Sequence, residues 1–273
     1  MDKYSVLMSL YKKEQPHHFK LAIDSMINQT IPPNEIVLVE DGPLTEELYA
    51  IIEEYISHYP DLFQIVINDT NLGLGVSLNR GLLVCQNELV ARMDTDDISK
   101  PDRCEKQLNY FRLNPYTSIL GGQIEEFIDT PDNIIGKRIV PENDPAIKEY
   151  MTRRCPFNHM TVMFRKSHVL SVGNYQDWFW NEDYYLWIRL ALNAFQFANL
   201  PNTLVTVRVG VDMYQRRGGL KYFKSEEKIQ RLMLTKSLIT FPRYIANVTI
   251  RFVLQVVMPN RLRGIVFKKF ARS

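Results

Sequence analysis

Residues Glu35–Pro43 read Glu-Ile-Val-Leu-Val-Glu-Asp-Gly-Pro. Four apolar residues, three of them β-branched, run without a polar break and stop at a strong turn signal. A strand without polar alternation is buried on both faces, and sheets buried in this way are mostly parallel, with helices above and below. The flanking sequence continues the theme. Upstream, Tyr4–Leu10 is another short apolar run, followed by Phe19, Ala22, Ile23, Met26 and Ile27 at helical spacing until Pro32-Pro33 breaks the chain. Downstream, Leu44 to His58 places Leu48, Ile51, Ile52 and Tyr55 on one helical face. Leu62–Ile67 then reads as a strand, Val76–Val84 as a helix and Glu88–Met93 as a strand. Strands alternating with helices imply βαβ crossovers, so the expected class is α/β with a mostly parallel central sheet flanked by helices.

Beyond residue 100 the pattern loosens. Ser118 to Val140 reads as strands around Gly121-Gly122 and Gly136, a helix carrying Trp187, Leu190 and Leu192 follows Glu182-Asp183, and Leu204–Val209 reads as a last strand. From about Tyr222 the chain is helical in pattern and basic. The expected division is therefore a main domain over 1–215 and a basic helical extension over 216–273.

The 273 residues are 45% hydrophobic and 23% charged, an ordinary globular balance that excludes a disordered chain. Cys85, Cys104 and Cys155 are odd in number and form no CxxC pair, which excludes a disulfide scaffold and a cysteine-built zinc site and suits a reducing cytosol. Met1-Asp2-Lys3-Tyr4 runs straight into a strand, so no signal peptide is expected. The net charge of +2 conceals an asymmetry: residues 216–273 hold 14 Lys/Arg against 2 Asp/Glu, leaving the first 215 strongly acidic. A basic tail needs an acidic partner, an anionic membrane or a nucleic acid. Its most apolar stretch, Tyr244 to Met258, is interrupted by Arg251 and closed by Pro259, too short to span a bilayer. A helix lying in the headgroup plane fits better, with Phe252, Val253, Val256, Val257 and Phe267 inward and Arg261, Arg263, Lys268, Lys269 and Arg272 outward. The plainer alternative is a helical hairpin packed on the main domain with a solvated basic face.

In open α/β sheets ligands bind beyond the carboxyl ends of the strands. Acidic residues gather there: Glu40-Asp41 after the second strand, and Asp94-Thr95-Asp96-Asp97 after the fourth. Three carboxylates within four residues repel one another, and a fold keeps them together chiefly when a hard cation such as Mg²⁺ or Mn²⁺ neutralises them. Free positions on such a cation suit phosphate oxygens, and so a nucleotide diphosphate. The alternative is a solvated acidic turn ahead of a helix that starts near Ser99-Lys100-Pro101-Asp102. Asp41 can accept from a base N–H or a ribose hydroxyl, or simply satisfy its own turn. Glu182-Asp183 sits between Trp178-Phe179-Trp180 and Tyr184-Tyr185-Leu186-Trp187. Carboxylates in so aromatic a setting open onto a cleft or carry a raised pKa, as a general base does, unless they merely begin a helix. Gly73 and Gly75 read as a turn before a helix, His159 as structural, and His17-His18 has no assigned role.

The order of these features resembles glycosyltransferase family 2: Ser9 in the first strand, Glu-Asp-Gly after the second, NxGxxxxxN from Asn71 to Asn79, DxDD after the fourth, and an aromatic-flanked Glu-Asp some 90 residues on. The resemblance covers roughly residues 4–210. It implies the Rossmann-like GT-A fold and inverting transfer from a nucleotide-diphospho-sugar. Met8–Glu14, Gln29–Pro43 and Val207–Gly219 are most similar to bacterial transferases that assemble O-antigen, exopolysaccharide and capsular repeat units. By that resemblance Ser9, Tyr11, Asp41, Asn71, Asn79 and Asp94 border the nucleotide sugar, Asp96 with Asp94 holds Mn²⁺ or Mg²⁺, Asp183 is the general base, and Glu182 orients the acceptor. The implied donor is a UDP-hexose. The implied acceptor is a GlcNAc-diphospho-undecaprenol-type lipid at the cytoplasmic face of the bacterial inner membrane, where the basic tail would hold the enzyme peripherally; nucleic acid is not an expected partner. Two departures stand out. Leu78 replaces an arginine common before the second asparagine, and Arg208-Val209-Gly210 lacks the histidine that often completes the metal shell; Arg216 or Arg217 could close over the diphosphate instead. A nucleotidyltransferase would carry a Gly-rich loop where Tyr11-Lys12-Lys13-Glu14 stands. A UDP-sugar-binding but inactive partner subunit would have no need of Asp183.

Overall fold

The computed structural model describes residues 3–210 and 218–259. The first half alternates as expected: β1 (Tyr4–Leu10), α1 (Pro16–Ile27), β2 (Glu35–Asp41), α2 (Glu46–His58), β3 (Phe63–Asn68), α3 (Leu74–Val84) and β4 (Leu89–Arg92). β2 pairs in parallel with β1 and β3, and β1 in parallel with β4. Side chains then segregate by parity. Tyr4, Val6, Met8 and Leu10 of β1 join Ile36 and Leu38 of β2 in a core capped by α1 and α2. Leu7, Val37 and Val39 point the other way, into a core shared with α3. The unbroken apolar runs have this cause: both faces are covered.

The second half adds β5 (Ile98–Ser99), α4 (Arg103–Leu113), β6 (Thr117–Phe127), β7 (Ile134–Arg138), α5 (Asp144–Met151), β8 (Met163–Arg165), α6 (Lys166–Ser171), α7 (Glu182–Leu192) and β9 (Gln196–Arg208). The sheet order is β3-β2-β1-β4-β8-β6-β9-β5, with β7 also against β6. Here the pairing turns mixed. β8 is antiparallel to β4 and β6, β7 to β6 and β5 to β9, while β9 runs parallel to β6. Only the half from β3 to β4 is uniformly parallel. β9 begins eight residues before the strand expected from Leu204, because the irregularity at Pro201-Asn202, where the β6 register shifts, hides its first half from a pattern reading. The helix expected near Ser99 starts at Arg103: Ser99 is held in β5, and Asp102 takes the N-cap position.

Two further helices, α8 (Leu220–Thr235) and α9 (Phe241–Phe252, continued by a π-turn over Val253–Val257), close the described chain. Ile229, Met233 and Ile239 lie in the same core as Trp187 of α7. The expected boundary at 215/216, with Arg216 and Arg217, and the tail residues Arg261, Arg263, Phe267, Lys268, Lys269 and Arg272 lie outside the described residues. Among the described residues no helix is long and apolar enough to cross a membrane.

Candidate active site

The chain leaves β1 to build β2 and β3 on one side, then returns to lay β4 on the other. The carboxyl ends of β1 and β4 thus flank the point where strand order reverses, the usual place for a ligand in this topology. Half-buried Ser9 and exposed Tyr11 stand at the end of β1, and Asp94–Asp97 follow β4.

Ligand oxygens of Asp94, Asp96 and Asp97 lie within 4.8 Å of one another. Burial, then repulsion from Asp94 and Glu14, pushes Asp96 up to about 7. Burial and Asp96 drive Asp97 well above the usual carboxylate range. Asp97 is committed to the fold, accepting the Arg208 N–H at 2.9 Å. Asp94 pairs with Arg92, and both it and Asp96 are only partly buried. This is a crowded hard-oxygen set short of positive charge, and it fits a divalent cation held by Asp94 and Asp96. Glu14, unsuspected from the sequence, is a fourth carboxylate here: it accepts from Thr95 Oγ1 at 3.0 Å, and burial raises its pKa. Its signal was faint, one acid in the exposed Tyr11–Glu14 loop. Arg208, at the histidine-lacking end of β9, donates to the Asp96 carbonyl at 3.3 Å and lies over the Phe127 ring.

Asp41 is 5% exposed and spends its carboxylate on the next loop. Oδ1 accepts from Leu72 N at 2.7 Å and from Asn68 Nδ2 at 3.2 Å, and Oδ2 from Gly73 N at 3.0 Å. Asn71 returns a bond to the Asp41 carbonyl at 3.1 Å. Gly73 is the N-cap of α3 and does precede the helix, whereas Gly75, expected in the same turn, lies inside its first turn, because the helix starts at Leu74. Gly42 cannot carry a side chain: its φ is +86°, and a Cβ would stand 2.6 Å from Asn71 N. We expect Gly42→Ala to lower stability by about 1–3 kcal/mol, read as an earlier denaturant midpoint; an unchanged midpoint would show that the 70–73 loop gives way freely.

Asn79 ties α3 to the segment before α7. It donates to the Tyr175 carbonyl at 2.6 Å and accepts from Asn174 Nδ2 at 3.0 Å. Leu78 is buried in the core, and the guanidinium of Arg80 reaches Asn68 Oδ1 at 2.6 Å.

Glu182 and Asp183 open α7. Burial, then Asp183, pushes Glu182 up to about 7. Burial also raises Asp183, against the Tyr184 N–H at 2.7 Å and the Cys155 thiol at 3.4 Å, which both donate to its oxygens. The Glu182 side chain packs on the first turn of α3, where a Cβ on Gly75 would lie 3.1 Å from Glu182 Cβ. Of the flanking aromatics Trp187 is fully buried, Trp178 donates to the Ser225 carbonyl at 3.2 Å, and Trp180 is half exposed. His159 is partly buried against Trp187 and bonded to the Tyr175 hydroxyl at 2.9 Å, and desolvation, then Arg92, holds its pKa well below the usual imidazole value.

Between the two acidic groups stands Arg92, which the sequence reading passed over inside the strand Glu88–Met93. It is 2% exposed, its Nη2 pairs with Asp94, and its Nε and Nη1 have no hydrogen-bond partner among the described residues. Its charge favours the ionised forms of Asp96, Asp97, Glu182 and Asp183 together. A lone charge in the run Leu89-Val90-Ala91-Arg92-Met93 was the available signal. The arrangement is a crowded acidic cluster and a raised carboxylate pair that share one buried guanidinium.

The glycosyl transferase family 2 model matches residues 5–179, and the chain belongs to that family. It is 39% identical over 266 residues to the amylovoran biosynthesis glycosyltransferase AmsE of Erwinia amylovora, covering 97% of this chain and 98% of that one. Identity to the Escherichia coli UDP-Gal:α-D-GlcNAc-diphosphoundecaprenol β-1,3-galactosyltransferase is 34% over 271 residues, 99% of this chain and 97% of the relative. Among solved structures, Staphylococcus aureus TarS 1–349 in complex with UDP matches with a TM-score of 0.67 at 17% identity, covering 97% of this chain and 74% of that one. The chain spans 43% of the longer TarS chain. The fold is accordingly of the GT-A type, and the protein is a glycosyltransferase.

Proposed function

We propose that this enzyme transfers a hexose, glucose or galactose, from a UDP-sugar to a GlcNAc-diphospho-undecaprenol-type acceptor with inversion, giving a β-linkage, β1-3 in the best-supported case. The observation that carries the reading is the pairing across Arg92 of a metal-fit acidic cluster with the raised, partly hydrogen-bonded Asp183. The chain's similarity over nearly its whole length to a galactosyltransferase of that description supports the choice of substrates.

In this mechanism Ser9, Tyr11, Asp94 and the 71–73 loop border the nucleotide. Asp41 has used three of about four acceptor positions, two on that loop and one on Asn68 at the end of β3, which leaves one for the base or ribose. Asp94 and Asp96 would hold Mn²⁺ or Mg²⁺, which supplies charge neutralisation of the leaving diphosphate. Asp183 removes the proton from the acceptor hydroxyl as that oxygen attacks the anomeric carbon opposite the diphosphate. Glu182, pushed up to about 7, sits beside it to orient the incoming sugar. Arg92 favours the ionised form of Asp183, the form able to accept a proton, and so tempers the rise that burial causes.

The test is UDP release from UDP-Glc, UDP-Gal, UDP-GlcNAc and UDP-GalNAc, each with and without a GlcNAc-diphospho-lipid and Mn²⁺. Acceptor-dependent release from one hexose donor is the expected result. UDP binding without turnover on any donor would remove the proposed acceptor, and absence of UDP binding would remove the nucleotide site itself.

A further inference from the structure

Helix α9 is built inside out. Asn247, Arg251 and Gln255 recur every four residues and are buried. Asn247 donates to Gln230 Oε1 at 2.8 Å and to the Thr152 carbonyl at 2.9 Å. Arg251 pairs with Glu226 at 2.6 Å and donates to the Arg153 carbonyl. Gln255 Nε2 reaches the same Glu226 oxygen at 3.0 Å. With the polar stripe turned inward, the apolar one faces out: Phe241, Ile245, Ile250, Phe252, Val253 and Val257 are all exposed, Phe241 by 62% and Val257 by 61%. At 100° per residue Phe241, Ile245, Ala246, Thr249, Ile250, Phe252 and Val253 cover about half the helix circumference; that arc carries no charge and is bordered by Arg243. The sequence expectation counted Arg251 as a break in the apolar stretch; burying it makes the outer surface continuous.

An arc of this kind on a solvated helix marks an interaction surface. Residues 216–273 carry 14 basic against 2 acidic residues, and Lys221, Lys224, Lys228 and Lys236 of the α8 segment are exposed. Exposed apolar side chains on one helix and exposed lysines on its neighbour match the acyl-headgroup boundary of an anionic bilayer, where shallow insertion and electrostatic attraction act together. A protein partner burying the same arc would have to bring acidic groups to meet those lysines.

The two helices also hold the base. Ser225 of α8 donates to the Phe179 carbonyl at 2.6 Å and accepts from Asn181 Nδ2 at 3.1 Å, immediately before Glu182-Asp183. Arg251 binds the carbonyl of Arg153, two residues from the Cys155 thiol that donates to Asp183. The surface and the acceptor side of the site are thus one rigid neighbourhood.

We propose that the exposed arc of α9, from Phe241 to Val257, docks flat on an anionic lipid surface and, through α8 and the 152–155 segment, fixes Asp183 relative to that surface. The second clause rests on the reading of Asp183 as the base for a lipid-linked acceptor; the first does not, and its test needs no turnover. The full chain is sedimented with phosphatidylglycerol–phosphatidylcholine vesicles and with phosphatidylcholine alone, alongside Ile250→Asp/Val253→Asp. The expected result is wild-type binding that depends on phosphatidylglycerol and falls by about ten-fold or more in the variant, while turnover on a short-chain, water-soluble acceptor stays within two-fold. If the charged variant does not fold, Ile250→Ser/Val253→Ser gives the same ordering. Equal binding by wild type and variant, binding indifferent to phosphatidylglycerol, or no wild-type binding overturns the docking surface. So does a lipid-free dimer that the variant converts to monomer, because a second copy would then cover the arc.

Discussion

Asp183→Asn is expected to reduce turnover by about 10²–10⁴-fold, the range a positioned general base supplies, with UDP affinity within a few-fold of wild type. The substitution keeps the size of the side chain and its bond from the Tyr184 N–H, so the fold has no reason to respond. What disappears is the ability to take a proton. The pH profile carries a second signature. Burial raises Asp183 above its ordinary value, so wild-type turnover falls as pH drops through that raised value, and the acid limb should be absent from the residual activity of the variant. Isothermal titration of UDP alongside single-turnover rates separates the two roles: a variant that turns over normally removes Asp183 from the chemistry, and one that loses UDP places it in the nucleotide site.

The second large effect concerns Asp96 and runs in opposite directions with and without metal. Asp96 is raised from the ordinary aspartate value to about 7. A carboxyl raised in the folded state binds its proton more tightly there than in the unfolded chain, so ionising it costs stability as pH climbs from about 4 toward 7. Metal-free Asp96→Asn should therefore melt above the wild type at pH 8 and level with it at pH 4. Added Mn²⁺ should reverse the order at pH 8 by stabilising wild type alone, and metal-supported turnover should fall by about 10²–10³-fold in the variant. Thermal scans at two pH values with EDTA or Mn²⁺ decide the matter. A wild-type melting point indifferent to Mn²⁺ would leave the acidic cluster without its cation.

The parallel half of the fold was legible because burial on both sheet faces writes itself as unbroken apolar runs, ended by turns such as Asp41-Gly42-Pro43. The mixed half was harder to read. β8 has three residues and β5 two, too short for any periodicity, and β9 bends through Pro201-Asn202. The acidic groups at 94–97 and 182–183 were visible as residues, but what joins them was not: Arg92 lies in an apolar run, and its neighbours Tyr175 and Asp183 are more than 80 positions away. Asn71 and Asn79 were marked as nucleotide contacts by resemblance, while the structure gives each a bracing bond, to Asp41 and to Tyr175. The polarity of α9 defeated pattern reading for another reason. Period-four polar residues look solvated until a second helix supplies Glu226 and Gln230 to receive them.

The hold of Ser225 on the 178–181 segment bears on how the chain can be shortened. Ending it at Gly218, an obvious choice for anyone wanting a more tractable protein without its greasy outer helix, would strip Ile229 and Met233 from beside Trp187 and take away the groups that receive Trp178 and Asn181. The turn that presents Asp183 would then float. Surface substitution at Ile250 and Val253 is the gentler route to solubility, since it changes what the protein sticks to and leaves intact what keeps the base in place.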